Sequence, residues 1–159
     1  GQPLRGAIYG DPLFPLLPGS GGAGRTGYLN ASGGNGGGLI DLMVRGSAMV
    51  NGALSANGQK GLTHGGGSGG AIHLQCRQFT GGTNSLMQAD GGAGKGNADG
   101  GGGGGRIAVW RQWPRTELPI SATANGGVGT VADVTTDDGE QGSVVWGLLP
   151  ADGTVFLLR

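Results

Sequence analysis

Three glycine-dense runs, GGNGGG (33–38), GGGSGG (65–70) and GGGGGG (100–105), each open directly onto a short stretch of alternating apolar residues. Glycine loses more conformational freedom on folding than any other residue, so such runs order only where something offsets that cost. Regular stacking of many similar segments is the economical way to do so. The chain is therefore constrained to a repetitive fold before any other residue is read.

The repeat has a fixed layout: a glycine run, a first strand, a variable turn, and a second strand closing on Asn/Asp-Gly. LIDLMV (39–44) is followed by ALSANG (53–58), AIHLQC (71–76) by LMQADG (86–91), and RIAVW (106–110) by SATANG (121–126). A last unit replaces the glycine run with GEQG, continues with SVVW (143–146), and ends on TVFLL (154–158). First strands begin at Leu39, Ala71, Arg106 and Ser143, and the closing residues are Asn57, Asp90 and Asn125. The two landmarks advance together, which glycine-rich sequence without a repeat would not do.

Alternation of period two sets the faces. It places Ile40, Leu42 and Val44, then Ile72, Leu74 and Cys76, then Ile107 and Val109, then Val144 and Trp146 on one inward face. Asp41, His73, Gln75, Arg106 and Ala108 fall on the opposite, solvent face. The second strands align Leu54 and Ala56 with Met87 and Ala89 and with Ala122 and Ala124, a wall of mostly small side chains. The Asn-Gly and Asp-Gly pairs read as left-handed turns. No window carries a glycine-free apolar stripe of helical period.

These patterns predict an all-β fold: a parallel β-solenoid of about four Gly-rich coils. Its glycine runs would be flat loops or stacked polyglycine segments resembling polyproline II, a choice the sequence leaves open. Residues 1–18, which contain the Pro-rich DPLFPLLP, read as an N-terminal extension or linker, and residues 19–159 as the Gly-rich repeat domain.

Composition narrows the function classes. Glycine supplies 41 of 159 residues with no strict collagen period, and the formal net charge is zero. That balance does not suggest nucleic acid or an anionic membrane as partner. The charges are nonetheless unevenly placed. Residues 1–115 carry nine Lys or Arg against four Asp, whereas 116–158 carry six acids and no Lys or Arg. One Cys permits no internal disulfide, and in its apolar run it reads as a small buried hydrophobe. No stretch reads as a signal peptide or membrane span, and an opening at Gly1 rather than Met suits a processed product or an excised fragment.

GGGSGGAIHLQ and ADGGAGKGNADGGGGGGRIAVW, within residues 19–146, resemble the Gly-rich repeats of large surface and secreted proteins with solenoid-like or autotransporter-like passengers. The resemblance implies a surface-structural role and brings no catalytic residues with it. The chain departs from that pattern at DPLFPLLPGSGG (11–22) and at residues 130–142.

Catalytic and metal readings find little support. A polysaccharide-degrading β-helix enzyme needs carboxylates clustered on an exposed wall, and Asp137, Asp138 and Glu140 are the one acidic cluster. They lie in a Gly-flanked loop that reads as a solvated turn, with a spacing that matches no EF-hand. GGAGKGNADGG (91–101) is faintly similar to the calcium-binding nonapeptide repeat but lacks its tandem copies. His64, His73 and Cys76 do not converge as a three-ligand metal set, because the alternation turns Cys76 inward and His73 outward. No glycine run is followed by Lys-Ser/Thr or a helix, which removes the phosphate-loop and dinucleotide readings. Trp110, Trp113 and Trp146 offer aromatic faces to a sugar ring, although Trp146 reads better as core and Trp113, before Pro114, as packing over an end of the fold.

The expectation is a non-enzymatic extracellular or cell-surface structural protein, without cofactor or metal, that associates end to end with itself or with other surface subunits. A monomeric adhesin or carbohydrate-binding module is the alternative, with the polysaccharide-degrading enzyme behind both. Asn30, in Asn30-Ala31-Ser32, is a candidate glycosylation site. The candidate assembly residues are Leu13, Phe14, Leu16 and Leu17 near the start and Val155, Phe156 and Leu157 near the end, with the acidic Asp137, Asp138 and Glu140 adding direction.

Overall fold

The computed structural model describes residues 10–24, 32–95, 99–113, 120–130 and 138–150. Its strands are β1 (Leu39–Val50), β2 (Ala53–Ser55), β3 (Ala71–Gly81), β4 (Ser85–Gln88), β5 (Arg106–Trp113), β6 (Ile120–Thr123) and β7 (Ser143–Leu148), with no helix among the described residues. They form a four-stranded sheet of order β1-β3-β5-β7 and a three-stranded sheet of order β2-β4-β6. Every pairing is parallel.

The expected all-β solenoid of four coils is thereby corrected. The strands belong to two separate open sheets, neither of which closes. Parallel strands joined by crossovers are the topology of an α/β protein, with glycine segments standing where crossover helices would pack. The strand limits shift as well. β1 and β3 run on to Val50 and Gly81 past a register irregularity between Val44 and Ser47, while the second strands stop at Ser55, Gln88 and Thr123. The TVFLL segment lies outside the described residues.

The core lies between the sheets. Leu39, Ala71, Arg106 and Ser143 are register partners, so the inward residues of the alternation stack in rows: Ile40, Ile72, Ile107 and Val144, then Leu42, Leu74, Val109 and Trp146. Phe79 joins them from the far end of β3, and Met87, Ala56 and Ala89 close the other side. The small side chains of the second-strand wall let the two sheets approach closely.

The glycine segments form a layer of their own. Across 65–70, six consecutive N–H groups donate in rotation to three neighbouring segments. Gly65 and Ser68 bond Ala23 and Ser20 (3.2 and 2.9 Å), Gly66 and Gly69 bond Gly100 and Gly103 (3.1 and 2.8 Å), and Gly67 and Gly70 bond Gln59 and Ala56 (2.9 and 2.7 Å). A donor direction that repeats every third residue is the three-per-turn period of polyproline II. Such a helix has no internal hydrogen bonds, so its polar groups are satisfied by neighbouring segments.

Close approach explains the composition. A Cβ at Gly66, Gly67, Gly69 or Gly70 would lie closer than 3.0 Å to the backbone of an adjacent segment. At Gly65 the nearest atom would be at 3.2 Å, and Ser68, three residues on, is the position in GGGSGG that carries a side chain. Its hydroxyl meets that of Ser20 at 2.7 Å. Segment 19–22 runs antiparallel to its neighbour, since Gly19 donates to Gly37 and Gly22 to Gly34.

Candidate functional site

The outward face of the four-stranded sheet departs from the alternation pattern, because His73 is buried there and Ala71 and Ala108 are fully covered. Residues 10–18 lie across it. The Phe14 ring stacks on Trp110 at 5.5 Å with an interplanar angle of 7° and meets His73 edge-on at 6.0 Å. The Trp110 indole N–H donates to the Leu13 carbonyl at 2.7 Å, satisfying the one polar group of a largely covered ring. Gly10, at φ 89°, admits the chain against the Arg106 guanidinium, where a Cβ would come within 2.9 Å. Pro15 is fully buried, while Leu13, Phe14, Leu16 and Leu17 each keep about half their surface exposed.

Beneath this strap His73 Nδ1 pairs with Asp41 Oδ1 at 2.8 Å, and its Nε2 lies 3.2 Å from the Gln75 amide. Asp41 and His73 are register partners on β1 and β3, and Gln75 is two residues further along β3 on the same face. They form a small polar network under an aromatic cover. Among the described residues no group of three or more His, Cys, Asp or Glu is placed to hold a metal ion.

A second polar array follows the closing residues. Asn57 Oδ1 accepts the Asp90 N–H at 2.7 Å, and Asp90 Oδ1 accepts the Asn125 N–H at 2.7 Å. Asp90 Oδ2 also takes the Thr123 hydroxyl at 2.9 Å and the Gln88 amide at 3.4 Å. The left-handed turns expected here are therefore corrected. Among the described residues the positive-φ glycines are Gly10 and Gly52. Asn57, Asp90 and Asn125 instead continue as extended glycine-layer segments, and their side chains make a ladder from one repeat unit to the next. Asp90→Ala removes three hydrogen bonds at a half-buried step, so we expect a loss of about 1–3 kcal/mol in urea unfolding. A loss no larger than that of a surface substitution would show that the ladder is not formed.

On the core side, Arg111 takes the place that Val44 and Cys76 hold in the neighbouring strands. Its guanidinium lies 5.6 Å from the Trp146 ring centroid, and its Nε and Nη1 are buried without a hydrogen-bond partner among the described residues. Cation–π attraction to Trp146 offsets part of that cost. Burial pushes the Cys76 thiol up, against smaller lowering effects from the Ala48 backbone and Arg111.

The sequence candidates divide. Asp138 is turned inward, accepting the Gly129 N–H at 2.7 Å, and Glu140 accepts the Gly104 N–H at 2.7 Å through its backbone carbonyl. Trp113 is 65% exposed, Trp146 is half-buried against Phe79, and Trp110 is taken up by Phe14, so the three indoles form no common platform. Asn30, Asp137, Val155, Phe156 and Leu157 lie outside the described residues. Sequence reasoning missed the strap and the ladder. The ladder had a signal, since Asn57, Asp90 and Asn125 stand at equivalent repeat positions, whereas nothing local ties Phe14 to Trp110. No helix among the described residues is long and apolar enough to cross a membrane. Comparison with protein families, curated proteins and solved structures returns no match for the chain.

Proposed function

We propose that the chain is a non-enzymatic structural module of an extracellular or cell-surface assembly, similar in role to the Gly-rich repeat proteins it resembles, and that it associates with itself. The observation that supports this reading is the glycine layer. There backbone hydrogen bonds run from repeat unit to repeat unit, as in Gly37 to Ser68, Gly69 to Gly103 and Gly104 to Glu140. A layer built this way is rigid and extensible, because each added unit meets the same donors and acceptors as the last. Its chemistry is that of a building material rather than of a pocket.

Light scattering of the intact chain over a wide concentration range tests the proposal. We expect mass to rise with concentration into elongated particles visible by negative stain. A monomer at high concentration overturns it. The adhesin or carbohydrate-binding reading, favoured by the exposed Trp113, then takes its place.

A further inference from the structure

Three sets of unfinished interactions lie at the two edges of the four-stranded sheet, and they match one another. The first is the core. Along one register row Ile72 and Ile107 are 0% exposed, whereas Val144, on the outermost strand, is 37% exposed. Along the next, Leu74 and Val109 are buried but Leu42, on the opposite outermost strand, is 37% exposed. Leu148 ends its row 57% exposed. The apolar rows are closed in the middle and open at both ends.

The second set is the strand backbone. Ala71, Arg106 and Ser143 each donate backward, to Gly38, Gly70 and Gly105. In a parallel ladder alternate residues address opposite neighbours. Leu39, Asp41 and Met43 therefore present their backbone groups to the open side of β1, and Val144 and Trp146 present theirs to the open side of β7.

The third set is the glycine layer. Gln141 holds the position of Gly104, which donates to the next unit, and its N–H has no partner among the described residues. At the other end the equivalent acceptor is the Gly36 carbonyl, also without a partner there. Each end supplies what the other lacks.

We infer that a second copy of this chain docks its β1 in parallel on β7, in the register Ser143 to Leu39, Val144 to Ile40 and Trp146 to Leu42, with the glycine layers joined across the same seam. This rests on the self-associating reading above and gives it an interface. Ile40 of the second copy extends the row that ends at Val144, and Leu42 extends the row that ends at Trp146. The contact is head to tail, so it leaves the same pair of edges open and propagates.

Cysteine trapping tests the register. Leu39 and Ser143 stand three strand spacings apart within one chain, roughly 14 Å, too far for a disulfide. Across the inferred seam they are neighbours about 5 Å apart. The doubly substituted chain, Leu39→Cys with Ser143→Cys, should form a covalent ladder of oligomers on oxidation, while Met49→Cys with Ser143→Cys should form none. Val144→Pro, which removes an edge N–H unused within the chain, should weaken association about tenfold or more with unchanged circular dichroism. Association by light scattering without the 39–143 cross-link, or with a 49–143 cross-link in its place, overturns this interface and leaves self-association standing. A monomeric intact chain overturns both.

Discussion

Gly66→Ala and Gly102→Ala should each prevent folding, whereas Gly46→Ala should leave stability almost unchanged. The added methyl at Gly66 would meet the Gly92 carbonyl and Ala93 backbone, and that at Gly102 the Gly67 carbonyl and Ser68 backbone, all closer than 3.0 Å. These obstacles are main chain held on both sides by hydrogen bonds, so they cannot swing away as a side-chain tip would. Relief requires two segments to part, and the bonds at Gly67, Gly92 and Gly102 break together. We expect losses of about 4–5 kcal/mol or more, enough to unfold a domain of ordinary stability. At Gly46 a Cβ meets nothing within 4 Å, and the substitution should fall within about 0.5 kcal/mol. Thermal melts read by circular dichroism decide the matter. Equal melting temperatures for Gly66→Ala and Gly46→Ala would refute the close-packed layer.

Ile72→Asp and Ile107→Asp should be comparably damaging for a different reason. Both side chains are fully buried between the sheets, with Ile40 and Val144 as register neighbours. A carboxylate in that apolar row gives up its hydration without a compensating partner, which costs several kcal/mol on top of the forfeited burial of the isoleucine side chain. Met43→Asp, one strand away at a 75% exposed outward position, should change stability by about 0.5 kcal/mol or less. Chemical denaturation of the three variants checks this. If Met43→Asp cost as much as Ile72→Asp, the facing of the four-stranded sheet would be reversed.

The proposed assembly depends on both layers. An edge strand with exposed apolar residues and unsatisfied backbone groups is a template for pairing. The molecule presents such edges at β1 and β7. The glycine layer contributes direction, because the N–H groups that link equivalent positions of successive runs, at Gly37, Gly69 and Gly104, all donate to the later unit. A closed two-fold dimer would bring donors to donors, so the polarity favours an open chain of copies.

Much of the sheet was legible in the sequence by itself. The phased starts at Leu39, Ala71, Arg106 and Ser143 are the register partners of four parallel strands, and period-two alternation identified Ile72, Leu74, Ile107 and Val109 as core. Those features are local: a strand's facing follows from its own pleat, and equal repeat positions stack wherever repeat units pair. The sequence also determined that the glycine runs must pack backbone to backbone, since they offer nothing else. What only the tertiary structure decided is what those runs pack against. Glycine carries no side-chain pattern, so nothing in GGGSGG distinguishes a loop from a three-fold helix, and the donor rotation at 65–70 exists only once three neighbours surround it. The same reason separates two open sheets from the expected solenoid, because closure depends on where the connections run. Asn57, Asp90 and Asn125 became a ladder rather than turns because stacked units place each side-chain oxygen of Asn57 and Asp90 beside the equivalent N–H of the next unit. His73 was buried by a segment from the start of the chain, through Phe14 and Trp110, a long-range contact that no local period encodes.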